Sequence, residues 1–97
     1  MKEKLIRAKD GDKKAIEEVI ELFNPLITGI TLKFYIKGLD KNDIKQIATV
    51  AVIKAIKTFD LEKVSSFPAY AKTTVKNTLI GEMLKAKNRY YEEKIDS

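Results

Sequence analysis

The segment from Gly38 to Pro68, GLDKNDIKQIATVAVIKAIKTFDLEKVSSFP, constrains the fold more than any other part of the chain. It reads as a helix from about Asp40 to Phe59, with Asp40 as N-cap and Asp43 placed favourably against the helix dipole. At 100° per residue, Ile44, Ala48, Ala51 and Ala55 form one apolar stripe flanked by Ile47 and Val52. Such a stripe must pack on neighbouring helices. Val50 and Ile53 point to the opposite side, with Gln46 and Lys57, and Asp43 borders them. Two readings follow for that second side: a central helix buried all round, or one core face and one protein interface.

The flanking segments also carry helical periodicity. Leu5, Ile6 and Ala8 indicate a short first helix, ended by an Asp10-Gly11 turn, with Asp12 as the next N-cap. Ala15, Ile16, Val19, Ile20 and Phe23 recur at three- and four-residue steps, and Leu26, Ile27, Ile30 and Phe34 extend the stripe. Pro25 predicts a kink or break near Asn24, and Gly38 predicts the C-terminal stop. After a loop from Leu61 to Ser66, Ser66 is placed to cap a long fourth helix that begins with Phe67-Pro68. This helix is expected to reach about Tyr90, with residues 92–97 as a frayed tail. No period-two alternation argues for a sheet. The expectation is all-α: one domain over 1–97, ordered over about 5–90, folded as a compact bundle of about four helices.

Composition narrows the function classes. At 97 residues the chain supports one modest core and no large enzymatic cleft. It contains neither cysteine nor histidine, which removes thiolate chemistry, the commonest metal ligand and the usual neutral-pH base. No catalytic residue, metal site or cofactor is expected, and Glu17, Glu18 and Glu21 read as a solvated helix face. There is no run of the roughly 20 apolar residues that span a bilayer, nor a signal peptide, so the expectation is a cytoplasmic protein without a membrane partner.

The net charge of +5 is concentrated in one place. From Lys63 to Arg89 there are six basic residues and one acid, Glu82. That surplus suits a polyanion, or simply solvates one helix face. Tyr70, Thr73, Thr74 and Asn77 fall at i, i+3, i+4 and i+7, bringing an aromatic ring, two hydroxyls and an amide to one face. An unstacked base could be held there, with Lys72 and Lys76 on an adjacent face for phosphates. By periodicity alone, Tyr70 and Phe67 are more often core residues.

The order D-x-x-D-I-x-Q, an apolar run, then A-I, F-D, F and Y-A resembles the bacterial sigma-70 family of RNA polymerase sigma factors, region 2, in its alternative-factor form. The matching residues are Asp40, Asp43, Ile44, Gln46, Ala55, Ile56, Phe59, Asp60, Phe67, Tyr70 and Ala71. Upstream, A-K-D-G-D-x-x-A from Ala8 to Ala15, then Phe23 and Pro25, resembles the start of the same domain. The resemblance implies two partners. One is RNA polymerase core, whose largest-subunit clamp helices would meet Asp40, Asp43 and Gln46, with Val50 and Ile53 as inferred apolar additions. The other is promoter DNA, the non-template single strand of a melted minus-ten element, met by Phe67, Tyr70, Lys72, Thr73, Thr74, Lys76 and Asn77. An anti-sigma protein covering the third helix is a further partner the resemblance admits.

Three departures qualify the resemblance. Ile47 stands where the family usually has glutamate, which would retune core affinity. Thr73 and Thr74 stand where primary sigma factors carry two tryptophans, which argues against strong autonomous melting. A complete sigma factor also continues into a helix-turn-helix domain that reads the minus-thirty-five element, so a chain ending at Ser97 is expected to be an excised domain or a naturally short relative that needs a partner. The competing readings are a helical protein-interaction module that uses Val50 and Ile53, and a general duplex-DNA binder with a basic helix.

Overall fold

A computed structural model describes the backbone of residues 1–96 and the side chains of residues 1–63 and 66–89. The chain is all-α among these residues, with helices α1 (Lys2–Lys9), α2 (Lys13–Lys33), α3 (Lys41–Thr58) and α4 (Phe67–Asp96) and a 3₁₀ segment, Leu61–Ser66, between the last two. Each start has a local cause. The Asp12 carboxylate accepts from the backbone N–H groups of Lys14 at 3.0 Å and Ala15 at 3.4 Å, capping α2. At the head of α3, Asp40 and Asp43 cap each other's backbone: the Asp43 N–H donates to Asp40 Oδ1 at 2.8 Å, and the Asp40 N–H donates to Asp43 Oδ2 at 3.2 Å. This reciprocal pair satisfies two donors that a helix start leaves open.

Three boundaries differ from the sequence expectation. Pro25 does not break α2, which continues from Lys13 to Lys33 as one helix. The missing proline N–H affects a single rung, while Phe23 and Ile27 on either side are both anchored in the core. Gly38 is not the helix stop. α2 ends at Lys33 with Phe34 extended, because the chain turns inward to bury Ile36 and the Lys41 ammonium donates to the Thr31 and Phe34 carbonyls at 3.3 and 2.7 Å. Gly38 instead takes the left-handed conformation (φ 90°) in the turn that follows, with the Leu39 N–H donating to the Ile36 carbonyl at 3.0 Å. The fourth helix runs on past Tyr90 to Asp96, as no glycine or proline interrupts that stretch.

The core lies where α1, α2, α3 and the first half of α4 meet. Val19, Phe23, Ile27 and Ile30 of α2 face the alanine-rich stripe Ile44, Ala48, Ala51, Val52 and Ala55 of α3, and α4 adds Phe67, Ala71, Val75 and Leu79 at four-residue steps. Phe67 has no exposed surface. Its ring meets Phe23 edge-on (centroids 5.5 Å apart, planes at 83°) and Phe59 likewise (5.1 Å, 72°). One side chain therefore joins α2, the end of α3 and the start of α4. Beyond Leu79, α4 adds one more buried residue, Ala86, to the core. Its 30 residues are about 45 Å long, which gives the molecule a longest dimension of 54 Å against 22 and 21 Å.

Truncating this joint should be severe. Phe67→Ala is expected to lose about 3–5 kcal/mol in urea denaturation monitored by helical circular dichroism, with the α3–α4 corner loosened. A loss below about 1 kcal/mol would mean that the corner is held by something else.

Candidate nucleic-acid and partner interface

Two surfaces of α3 and α4 carry the residues singled out by sequence. The first is the outward face of α3. Gln46 and Lys57 are exposed, Val50 is 64% exposed, and Asp43 and Ile53 are half-buried. Behind them, Ile44, Ala48, Ala51, Val52 and Ala55 are buried. Ile47, the departure from the acidic residue the family usually has, is half-buried and packs against the core rather than joining the outward patch. Asp40 is exposed at the helix start, but its carboxylate is engaged in capping, as is one oxygen of Asp43. Both aspartates thus have a structural duty at the edge of the patch.

The second surface lies on α4. Phe67, expected among the DNA-contacting residues, is corrected by its burial. It occupies the core side of the first turn, where the Phe23 and Phe59 rings enclose it and no base can reach. Tyr70 is different. One side of its ring leans on Phe59 (centroids 5.3 Å, planes at 46°), its hydroxyl lies 2.7 Å from the Thr58 hydroxyl, and 36% of the residue remains exposed. The ring is backed by protein and open in front.

Thr73, Asn77, Lys72 and Lys76 are exposed, and Thr74 is half-buried. The Thr74 hydroxyl donates to the Tyr70 carbonyl at 2.8 Å, and Thr78 donates to the Thr74 carbonyl at 2.7 Å. A threonine hydroxyl has one proton, so Thr74 can offer a ligand only acceptor capacity. Thr73 and Asn77 carry the available donors on this face.

Tyr70 separates two shallow depressions. On one side Thr58, Phe59, Asp60, Lys63, Ser66, Ala69 and Thr73 line a hollow under the α3–α4 corner. On the other, a groove runs along α4 past Thr73, Thr74, Asn77, Thr78 and Gly81, with Lys54 of α3 on its wall and Glu82 and Lys85 at its end. Glu82 and Lys85 lie 3.5 Å apart as an ion pair, which leaves Lys54 as the groove's other cation. Lys54 was absent from the sequence expectation, since only the packing of α3 on α4 brings it there. Among the described residues no cluster of acidic, histidine or cysteine side chains could hold a metal ion, and no helix is long and apolar enough to cross a membrane.

The family model for sigma-70 region 2 matches residues 19–89. An RNA polymerase sigma-F factor of Bacillus licheniformis is 30% identical over 71 residues, covering 73% of this chain and 28% of that relative. The match therefore spans less than a third of that relative's length. No solved structure matches significantly.

The two sides of α3 should separate in a stability measurement. Val50→Ala is expected to stay within about 0.5 kcal/mol of the parent, while Ile44→Ala loses about 2–5 kcal/mol. Asp40→Ala, which removes the cap, should fall between them at about 0.5–2 kcal/mol. Thermal melts followed at 222 nm rank the three; equal losses for Val50 and Ile44 would show that the outward face is covered.

Proposed function

The chain belongs to the sigma-70 region 2 family, and from that premise we propose that it binds RNA polymerase core through the outward face of α3 and opens and holds a minus-ten promoter element through α4. The observation that carries this reading is the exposure of Val50, with half of Ile53, on a helix whose opposite face already fills the core. A bundle has no folding reason to place branched apolar side chains in water beside Gln46. A complementary helical surface, the clamp helices of the largest polymerase subunit, gives them one.

Electrostatics and shape support the DNA half of the proposal. Lys54 and Lys63 line the depressions on either side of Tyr70, and Lys72 and Lys76 are exposed further round α4. They would hold phosphates and so position a strand without reading its sequence. A base that has left the duplex can stack on the exposed side of the Tyr70 ring, with Thr73 and Asn77 offering donors to its edge. A paired base cannot do so. The surface is thus better suited to a melted strand than to a closed duplex. Thr73 and Thr74 supply no second aromatic platform, so the chain works with core polymerase rather than as an autonomous melting protein. An anti-sigma protein that covers the α3 face would compete with core, and both partners imply a cytoplasmic setting.

A pull-down of bacterial RNA polymerase core tests the first half. Gln46→Ala and Ile53→Ala should each weaken capture at unchanged helicity, and failure of the parent chain to capture core would return α3 to a general protein-interaction surface. With core present, Lys72→Ala and Lys76→Ala should each flatten the salt dependence of binding to pre-melted template by about 0.7 in log–log slope. Tyr70→Ala should lose about 1–3 kcal/mol on pre-melted template and little on closed duplex. Equal losses on the two templates would make Tyr70 a core residue and end the melting assignment.

A further inference from the structure

The contact between Tyr70 and Thr58 has a definite proton order. The Thr58 hydroxyl lies 3.0 Å from the Lys54 carbonyl and 2.7 Å from the Tyr70 hydroxyl. A carbonyl only accepts, so the single Thr58 proton is committed to Lys54. The Tyr70 O–H must therefore be the donor in the second contact. The result is a directed chain from Tyr70 O–H to Thr58 Oγ1, and from Thr58 Oγ1–H to the Lys54 carbonyl oxygen. Each bond polarises the next, so Thr58 is a better acceptor than an isolated hydroxyl.

We infer that Thr58 is a positioning residue for nucleic acid, fixing the Tyr70 ring against Phe59 so that one open ring face is ready before an unstacked base arrives. This rests on the reading of α4 as the surface that meets melted DNA. The geometry carries it in three ways. The ring is held at two separated points, by Phe59 behind it and by the hydroxyl at its far end. The acceptor itself is fixed, because the last turn of α3 is closed by the Phe59 N–H to the Ala55 carbonyl at 2.9 Å and braced by the Lys9 ammonium on the Lys57 carbonyl at 2.7 Å. Finally, the contact is exposed and joins two helices that the buried Phe59 and Phe67 already hold together, so its loss bears on Tyr70 more than on the fold.

A tyrosine that must be immobilised by the incoming base loses rotamer freedom in the binding step; one already held does not. Removing the hydroxyl at either end should therefore weaken stacking without altering phosphate contacts. With core polymerase present, the 97-residue chain is titrated at low salt against fluorescein-labelled random-sequence 20-nucleotide single strands and against the same pool annealed as duplex. Thr58→Val and Tyr70→Phe should each reduce single-strand affinity by about two- to tenfold. Both should leave duplex affinity and melting temperature unchanged, and the double variant should lose no more than either single one. Thr58→Ser, which restores the acceptor, should restore affinity. In tyrosine-labelled chain, Thr58→Val should also shift the Tyr70 ring resonances while Thr58→Ser leaves them in place.

The outcomes are separable. Tyr70→Ala without effect on single strands removes the melted-strand reading and this inference with it. Tyr70→Ala effective while Thr58→Val and Tyr70→Phe match the parent overturns the positioning role alone. Equal losses on single strands and duplex, or additive losses in the double variant, also overturn it.

Discussion

The architecture depends on a single aromatic joint. Phe67 is buried between Phe23 and Phe59 in two edge-on contacts, a geometry in which the positive rim of one ring meets the negative face of another. Phe23 belongs to the middle of α2, Phe59 ends α3 and Phe67 opens α4. The joint thus sets the angle at which the longest helix leaves the bundle. It also sets where Tyr70 stands, because Phe59 packs on Phe67 from one side and on Tyr70 from another. A residue matched to the DNA-reading segment in sequence therefore contributes to that segment through the core, by supporting the tyrosine that faces solvent.

The second constraint is the division of α3 into a buried face and an outward one. Ala48, Ala51 and Ala55 on the inner face let α3 lie close to its neighbours, Ile44, Val52 and Ile56 fill the space beside them, and Val50 stands on the outside. The capping pair Asp40 and Asp43 fixes the start of this helix, and Lys9 reaches from α1 to brace its last turn. Both ends are pinned, so the outward patch is presented on a rigid rod. Rigid presentation reduces the ordering cost of association.

The sequence made legible whatever depends on local spacing. Helix number, the inner stripe of α3, the Asp12 and Asp40 caps and the outward placement of Val50 follow from a 3.6-residue period and from side chains that reach their own backbone. What escaped the sequence depends on how helices cross. Phe67 at the head of a basic helix is ambiguous until Phe23 and Phe59 are seen around it, and Lys54 reads as a solvated lysine until α4 lies beside it. Pro25 and Gly38 misled for a related reason. Each carries a strong local preference, and the burial of Ile27 and Ile36 decided where α2 continues and where it stops.

The length of α4 bears on the scale of what it can touch. Successive nucleotides of B-form DNA rise about 3.4 Å per strand and helical residues about 1.5 Å. At those pitches the 30 residues of α4 match the rise of about thirteen base pairs. The stretch from Lys72 to Arg89 alone covers about 26 Å, or nearly eight. Under the proposed DNA reading, a rod of that reach, packed on the bundle through Leu79 and again at Ala86, is commensurate with a junction between paired and unpaired DNA. On that reading, the turns near Tyr70 and those near Arg89 lie against nucleic acid of different form at the same time.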